Sequence, residues 1–314
     1  MKRILVTGAS GFVGRGLCAA LQARQLDFLA VARSNPGHNA PTFIVEDMHA
    51  ATDWQPALAG VGCVIHLAAR VHVMAERASK PLDAFRAVNC GATLNLARQA
   101  ARNGVRRFVF VSSVKVNGES TGEKPFTAFD VAAPSDAYAV SKLEAEQGLQ
   151  ALSKETGLEV VIVRPPLVYG PGVRANFLKL MQLVKLGLPL PFASVRNRRS
   201  LVALDNLVDL LIACSAHPAA AGQTFLVSDD DDVDMAKLLR LLAAGMDKRA
   251  RLFPLPAQAL AGLAALAGKS ALAGRLLDSL QVDISHTTAT LDWLPVVKPE
   301  DAMRATVAHF LSQR

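Results

Sequence analysis

The chain has 314 residues, 51% of them hydrophobic and 19% charged, with a formal net charge of +7. This length and balance exclude a peptide-scale or disordered chain and allow one large α/β domain or two modest ones. The positive charge admits an anionic partner, but the arginines are spread along the chain and aromatics are only 5%, so no nucleic-acid platform is expected.

In chain order, the first two thirds alternate short apolar strands with amphipathic segments, the pattern of β-α-β units around a parallel sheet. The expected strands are Ile4 to Thr7, Phe28 to Arg33, Phe43 to Val45, Cys63 to Leu67, Phe108 to Val111 and Glu159 to Arg164. The expected helices are Gly11 to Arg24, Leu82 to Asn103 and Asp136 to Thr156, with stop signals at Asn103-Gly104 and Thr156-Gly157. The right-handed crossover rule then predicts a doubly wound sheet. After Arg164 the texture becomes rich in Pro and Gly, as in Pro165-Pro166 and Gly170-Pro171-Gly172, and a smaller lobe is expected there. The predicted division is a dinucleotide-binding domain over 1–165 and a mainly substrate-binding lobe over 166–314, with strands such as Leu201 to Leu204 and Thr224 to Val227 returning to the sheet. Asp229 to Asp232 reads as a solvated turn before a helix near Met235 to Met246.

Several classes are not expected. Cys18, Cys63, Cys90 and Cys214 show no C-x-x-C spacing, and His66 and His72 have no paired partner, so neither metal nor disulfide is predicted. The apolar stretch Ala257 to Gly268 contains Gln258 and meets Lys269, short of the roughly 20 residues that span a bilayer. The charged N-terminus runs into a short apolar segment ended by Gly8, with no export signal, which predicts a cytoplasmic protein without an integral membrane segment.

Thr7-Gly8-Ala9-Ser10-Gly11-Phe12-Val13-Gly14 ends a strand and opens a helix, the context that makes a glycine pattern a phosphate cradle. Gly8 would allow the turn, Gly11 the approach of a pyrophosphate, and Gly14 the packing of helix on strand. The free N–H groups of the helix start favour an anion, and Gly8, Ser10, Gly11, Phe12, Val13 and Gly14 are the expected cofactor contacts. At the end of the second strand, where an acid would bind the ribose of NAD, stands Arg33. Its guanidinium suits the 2′-phosphate of NADP, although it would also stack on adenine with NAD bound. Asp47 and Met48 would border the adenine, with a surface turn as the other reading.

Tyr138 and Lys142 stand four residues apart, on one helical face. A lysine beside a phenol favours the phenolate, so the pair would exchange a proton with an alcohol or carbonyl. Ser113 lies just beyond an apolar strand, at the edge where open α/β sheets hold ligands, and would bond the same oxygen.

Together these motifs resemble the extended short-chain dehydrogenase/reductase family, and its nucleotide-sugar epimerase/dehydratase branch in particular. Further matches are His66-Leu67-Ala68-Ala69, Val88-Asn89 with Thr93, Arg164-Pro165, Tyr169-Gly170-Pro171 and Leu291-Asp292-Trp293-Leu294-Pro295. The resemblance implies a Rossmann domain, a catalytic triad of Ser113, Tyr138 and Lys142, cofactor contacts at Leu67, Ala68 and Ala69, a structural or relay role for Asn89, and a UDP-sugar site in the later lobe. It also implies a possible homodimer through the helices at 82–103 and 136–156. Departures from the family pattern narrow the expectation. Val114-Lys115 stand where sugar-nucleotide dehydratases carry Asp-Glu, which disfavours dehydration. Asn117 replaces a usual tyrosine, and Leu167 an asparagine that often holds the diphosphate. Lys115, Asn176 and Arg199 are the substrate-binding candidates, with Arg196, Arg198 or plain surface charge competing with Arg199.

Two outcomes fit the resemblance. The expected one is NADPH- or NADH-dependent reduction of a UDP-4-keto-6-deoxy-HexNAc toward a quinovosamine-type precursor of surface polysaccharide. The other is a UDP-glucose or UDP-GlcNAc 4-epimerase with tightly held NAD. A non-catalytic NAD(P)-binding sensor is a remote third, disfavoured by the retained Tyr138 and Lys142.

Overall fold

The computed structural model describes residues 2–34, 40–71, 80–266, 268, 274 and 276–313. Its strands are β1 (Arg3–Thr7), β2 (Phe28–Ala32), β3 (Thr42–Ile44), β4 (Val61–His66), β5 (Arg107–Val111), β6 (Glu159–Arg164), β7 (Leu167–Tyr169), β8 (Leu201–Ala203) and β9 (Thr224–Leu226). The helices that matter below are α1 (Phe12–Ala23), α2 (Gln55–Leu58), α3 (Pro81–Phe85), α4 (Thr93–Arg102), α5 (Ala137–Thr156), α6 (Ala175–Lys185), α7 (Leu204–Ala216), α8 (Met235–Ala244) and α9 (Ala257–Leu266).

Seven strands form one parallel sheet in the order β3-β2-β1-β4-β5-β6-β9. The order reverses between β1 and β4, where Thr7 pairs with His66, so a crevice opens above the carboxyl ends of these two strands. Side chains alternate across the strands, and both faces are apolar, as a sheet covered by helices on each side requires. Ile4, Val6, Ile65, Val109 and Val161 pack against Leu17 and Leu21 of α1 and Leu207 and Leu211 of α7. Leu5, Val64, Phe108, Phe110 and Ile162 pack against Leu96 and Ala100 of α4 and Ala145 and Leu149 of α5. The doubly wound Rossmann sheet is therefore as expected. Thr224 to Leu226 returns to the sheet as expected, but Leu201 to Ala203 does not: as β8 it pairs with β7 in a second, two-stranded parallel sheet that joins α6, α8 and the helix Pro299–Ser312 in a third apolar cluster.

Local signals explain most boundaries. The Asp136 carboxylate caps α5, accepting the Ala139 N–H at 2.7 Å, and Gly157 closes it with φ of 76°. The single helix expected over 82–103 is instead α3, a π-helical stretch Arg86–Ala92, and α4. The wider turn carries the buried Asn89, whose amide spans from this helix to the loop at Arg70. β7 escapes a sequence reading because it is three residues long between Pro165-Pro166 and Gly170-Pro171.

The expected solvated turn at Asp229 to Asp232 is also different. Asp229 is buried, and its carboxylate accepts the Ala203 N–H at 2.7 Å, the Asn206 amide at 2.8 Å and the Tyr169 hydroxyl at 2.8 Å. Three donors within a closed pocket outweigh the preference of an acidic run for water. His72, one of the lone histidines, lies outside the described residues. Among the described residues, no helix is long and apolar enough to cross a membrane, and no group of three or more His, Cys, Asp or Glu residues would hold a metal ion.

Candidate active site

The loop from β1 into α1 is built on glycine contacts with backbone. Gly8 has φ of +69°, and a Cβ there would lie 2.8 Å from the Ala68 nitrogen; a Cβ on Gly14 would lie 2.1 Å from the Gly8 carbonyl oxygen. No side chain larger than hydrogen fits at Gly14, so α1 starts hard against the end of β1. Gly11 is the N-cap and brings no side-chain hydrogen bond, leaving the first N–H groups of α1, at Phe12, Val13 and Gly14, without a side-chain cap. Ser10 closes the loop through its carbonyl, which accepts Arg15 Nη1 at 3.1 Å. The Leu67-Ala68-Ala69 segment leaves β4 beside this loop, with the Ala68 N–H donating to Thr7 Oγ1 at 3.3 Å. Loop and segment thus line the switch-point crevice together.

At the carboxyl end of β5, Ser113 lies near enough to the Tyr138 phenol for its hydroxyl to favour the phenolate, while Ser113 Oγ accepts the Lys115 N–H at 3.3 Å. Lys142 follows one turn later on α5, buried, with Nζ 4.1 Å from the centroid of the Phe110 ring. Burial pushes the Tyr138 phenol up to about 12; the Asp136 carboxylate adds to this and the nearby Ser113 hydroxyl opposes it. Burial brings the Lys142 ammonium down to about 7, against the opposing pull of Glu146. The Phe110 face beside this buried amine favours its charged form. The arrangement places a phenol, a hydroxyl and a titratable amine around one end of the sheet.

Buried polar groups hold these side chains in place. His66 is clamped between Thr7 Oγ1 at 2.7 Å on Nδ1 and Thr93 Oγ1 at 2.9 Å on Nε2, and burial with the nearby Lys142 keeps its ring neutral, down to about 3. It is a packing histidine joining β4 to β1 and α4. The Asn89 amide exchanges hydrogen bonds with the Arg70 backbone at 2.8 and 3.0 Å and donates to Ser141 Oγ at 3.0 Å, while Ser141 Oγ donates to the Tyr138 carbonyl at 2.7 Å. Asn89 therefore ties the loop after β4 to the turn that carries Tyr138.

Glu146, one turn beyond Lys142, receives Arg164 Nε at 3.0 Å and Nη2 at 2.5 Å, and Arg164 Nη1 donates to Asn117 Oδ1 at 3.0 Å. Asn117, which stands where the family pattern has tyrosine, also donates to the Thr127 carbonyl at 2.9 Å. The Glu146 network had a sequence signal in principle: Tyr138, Lys142 and Glu146 are spaced by four, so a carboxylate continues one helical stripe into the apolar core of Ala145 and Leu149. Ser112 is another missed candidate. Its Oγ is buried beside Ser113 with no hydrogen-bond partner in the structure.

The remaining candidates lie further out. Arg33, directly after β2, is exposed and forms no ion pair with another described residue. Asp47 is exposed after β3, whereas Met48 packs against the core. Lys115 is occupied by two carboxylates, Glu119 at 2.9 Å and Asp136 at 2.6 Å, and so joins the turn after Ser113 to the cap of α5. Asn176 is exposed at the start of α6. Arg199 exchanges backbone hydrogen bonds with Val233, and its Nη1 donates to the Asp278 carbonyl at 2.9 Å. No hydrogen bond or ion pair among the described residues links Asn176 or Arg199 to Tyr138 or Lys142.

Comparison with known proteins adds to this geometry. Residues 4–228 match the model of the NAD dependent epimerase/dehydratase family. A Vibrio cholerae protein named UDP-glucose 4-epimerase is 46% identical over 315 residues, covering 99% of this chain and 96% of its own. Among solved structures, the Bacillus cereus UDP-glucuronic acid 4-epimerase in complex with UDP-glucuronic acid and NAD superposes with a TM-score of 0.80 at 21% identity, covering 99% of this chain and 100% of that one. The Thermotoga maritima UDP-glucose 4-epimerase with UDP-glucose gives 0.77 at 21% identity, over 99% of both chains. At these identities the structural likeness is one of fold.

Proposed function

The chain belongs to the NAD dependent epimerase/dehydratase family, and from that premise we propose that it is a UDP-sugar 4-epimerase working with retained NAD. The observation that carries this reading is the likeness to the Vibrio cholerae protein, which runs nearly end to end, in a chain that sets Ser113 beside the Tyr138 phenol with Lys142 one turn along. The Vibrio cholerae likeness supports epimerisation over the net reduction that Arg33 and the resemblance of the 69–73 and 115–118 segments suggest.

The cradle fits a dinucleotide: any Cβ at Gly14 would occupy space now closed by backbone, the N–H groups of α1 have no side-chain cap, and the buried Ser112 hydroxyl lacks a partner at the same end of the sheet. Gly8, Ser10, Gly11, Phe12, Val13 and Gly14 would hold the pyrophosphate, Leu67, Ala68 and Ala69 would wall the crevice, and Arg33, Asp47 and Met48 would meet the adenosine. Bound NAD would supply a hydride acceptor and, in the return step, a hydride donor at C4 of the sugar.

The chain's own residues handle the proton. As C4 gives up a hydride, the Tyr138 oxygen takes the proton from the C4 hydroxyl, and Ser113 hydrogen bonds the same oxygen as it becomes a carbonyl. A phenol held at about 12 is hardly ionised at neutral pH, and the role assigned to Lys142, when charged, is to lower the cost of the phenolate. Return of hydride to the opposite face of C4, with the proton delivered back from Tyr138, completes the inversion. Lys115, Asn176 and Arg199 are proposed substrate contacts, with the dinucleotide in 1–165 and the UDP-sugar mainly in 166–314.

The test is incubation of purified protein with UDP-glucose or UDP-GlcNAc, without added cofactor, followed by product separation. Interconversion to the C4 epimer supports the reading. A second reading, reduction of a UDP-4-keto-6-deoxy-HexNAc with NADPH, is favoured by the exposed Arg33 and by those two segments. Consumption of NADPH with that substrate, together with no epimer from the others, would replace the first reading with the second.

A further inference from the structure

Helix α9 is apolar apart from Gln258 and is not buried. It reads Ala-Gln-Ala-Leu-Ala-Gly-Leu-Ala-Ala-Leu. Among its described side chains only Leu260 packs against the core, while Leu263 is 59% and Leu266 89% exposed. A helix with a single polar side chain is normally enclosed, and an exposed apolar patch marks a surface that something else covers. Ten residues rise about 15 Å, about half of the roughly 30 Å hydrocarbon core. Such a helix is too short to span a bilayer and long enough to lie in its interface.

The neighbouring charge indicates the occupant. Residues 248–277 include Lys248, Arg249, Arg251, Lys269 and Arg275 and contain no Asp or Glu. Lys248, Arg249 and Arg251 are exposed and form no ion pair with another described residue. Their segment is fixed rather than free. Lys248 Nζ donates to the Lys185 carbonyl at 2.7 Å, the Leu190 N–H donates to the Arg251 carbonyl at 2.8 Å, and the Phe253 N–H donates to the Leu190 carbonyl at 3.0 Å. These bonds set the cations beside the turn that carries the exposed Leu186 and Leu188, next to Phe253, itself 43% exposed. Leu260 packs on the same apolar cluster as Ala250 and Leu252, and only Pro254, Leu255 and Pro256 separate residue 253 from the start of α9, so helix and basic segment are neighbours in the chain on one lobe.

We propose that α9 and residues 248–253 form an in-plane binding surface for an anionic lipid bilayer. Leu263 and Leu266 enter the boundary between headgroups and acyl chains, and Lys248, Arg249 and Arg251 meet the lipid phosphates. A second copy of this chain is a poorer occupant, because a self-pairing of the patch would bring the same cations face to face. The two carboxylates adjoining the stretch 248–277, Asp247 before it and Asp278 after it, do not outweigh its five cations.

The experiment is co-sedimentation of the full chain with vesicles of phosphatidylcholine alone and of equal parts phosphatidylcholine and phosphatidylglycerol. Binding to the mixed vesicles only, weakened by salt, is expected. Each exposed cation near an anionic surface contributes about fivefold, so Arg249→Gln with Arg251→Gln should weaken binding by about 25-fold. Leu263→Ser with Leu266→Ser should abolish it while sugar turnover stays at the wild-type level, since neither side chain packs in the core. Four results would overturn the proposal: no binding to mixed vesicles, equal binding to both vesicle types, binding indifferent to both variants, or a stable oligomer in sedimentation velocity that Leu263→Ser with Leu266→Ser dissociates.

Discussion

Glu146 and Arg164 form a two-pronged ion pair inside the protein, with Nε–Oε1 at 3.0 Å and Nη2–Oε2 at 2.5 Å, one helical turn from Lys142. The pair joins α5, which carries Tyr138 and Lys142, to β6, and through Asn117 to the turn that follows Ser113. Removing one partner leaves a buried charge uncompensated, a cost of about 3–5 kcal/mol. Glu146→Ala is therefore expected to lower the urea midpoint by that much stability, and Glu146→Gln, which keeps the shape and one acceptor, by less. Urea titration followed by circular dichroism checks this; an unchanged midpoint in Glu146→Ala would remove the pair from the account of how α5 is positioned.

Gly14 and Gly60 separate the two reasons a glycine is needed. A Cβ at Gly14 meets the Gly8 oxygen at 2.1 Å and the Ala9 Cα at 2.8 Å, and neither is a flexible chain end. At Gly60 a Cβ meets nothing within 4 Å, but φ is +73°. Gly60→Ala should cost about 1–2 kcal/mol of left-handed strain and leave dinucleotide binding intact. Gly14→Ala must push α1 off the end of β1, costing about 1–3 kcal/mol and disturbing the phosphate cradle as well. Calorimetric titration with NAD distinguishes them: affinity should fall in Gly14→Ala alone.

The sheet was legible because buried parallel strands are short apolar runs ended by glycine or charge; β6 spans Glu159–Arg164 as the sequence predicts, and the others differ by one or two residues. The glycine loop and the spacing of Tyr138 and Lys142 were legible for a similar reason, since each is local in the chain. What sequence pattern missed is long range. Asp229 reads as part of a solvated acidic run, yet Tyr169, Ala203 and Asn206 converge on it from separate segments. Glu146 and Arg164 are 18 residues apart on elements whose contact appears only once α5 packs on β6. Arg199 and Asn176 are polar residues in loops and helix starts, where spacing carries no information about what they touch.

Tyr138→Phe keeps the ring that meets Phe85 edge-on at a centroid distance of 6.1 Å and removes only the hydroxyl. The fold and the dinucleotide cradle should be unaffected. Loss of a positioned proton donor and acceptor costs about 10²–10⁴ in turnover, so kcat should fall within that range while NAD affinity stays at the wild-type value. An epimer assay and a binding titration measured on the same preparation check both halves; turnover within a few fold of wild type would refute the role given to Tyr138.

On the proposed reading, Arg33 would meet the adenosine end of the dinucleotide. It stands exposed directly after β2 with no carboxylate partner among the described residues. Replacing it by aspartate puts an acceptor where a ribose 2′-hydroxyl is bound and repels a 2′-phosphate. Arg33→Asp should thus raise the ratio of NAD to NADP affinity. An unchanged ratio would place the adenosine end away from residue 33.

Lys142 links the proton chemistry to stability. Burial lowers its ammonium from the ordinary lysine range to about 7, with Glu146 opposing the shift. Below about pH 7 the side chain is charged in both folded and unfolded states, and the full cost of burying that charge weighs on the fold. Above about 7 the folded chain releases the proton first while the unfolded chain retains it to the ordinary lysine value. The unfolded state then binds more protons, so stability rises with pH across this window, by up to about 1.4 kcal/mol per pH unit for one proton. Lys142→Met removes the titration. The variant should be more stable than wild type at pH 7, the difference should shrink steadily toward pH 10, and turnover should be lost with the cation that supports the Tyr138 phenolate. Urea unfolding of both proteins between pH 7 and pH 10 checks the convergence; parallel stability curves would mean that Lys142 keeps its proton throughout, held as an ammonium over the Phe110 ring.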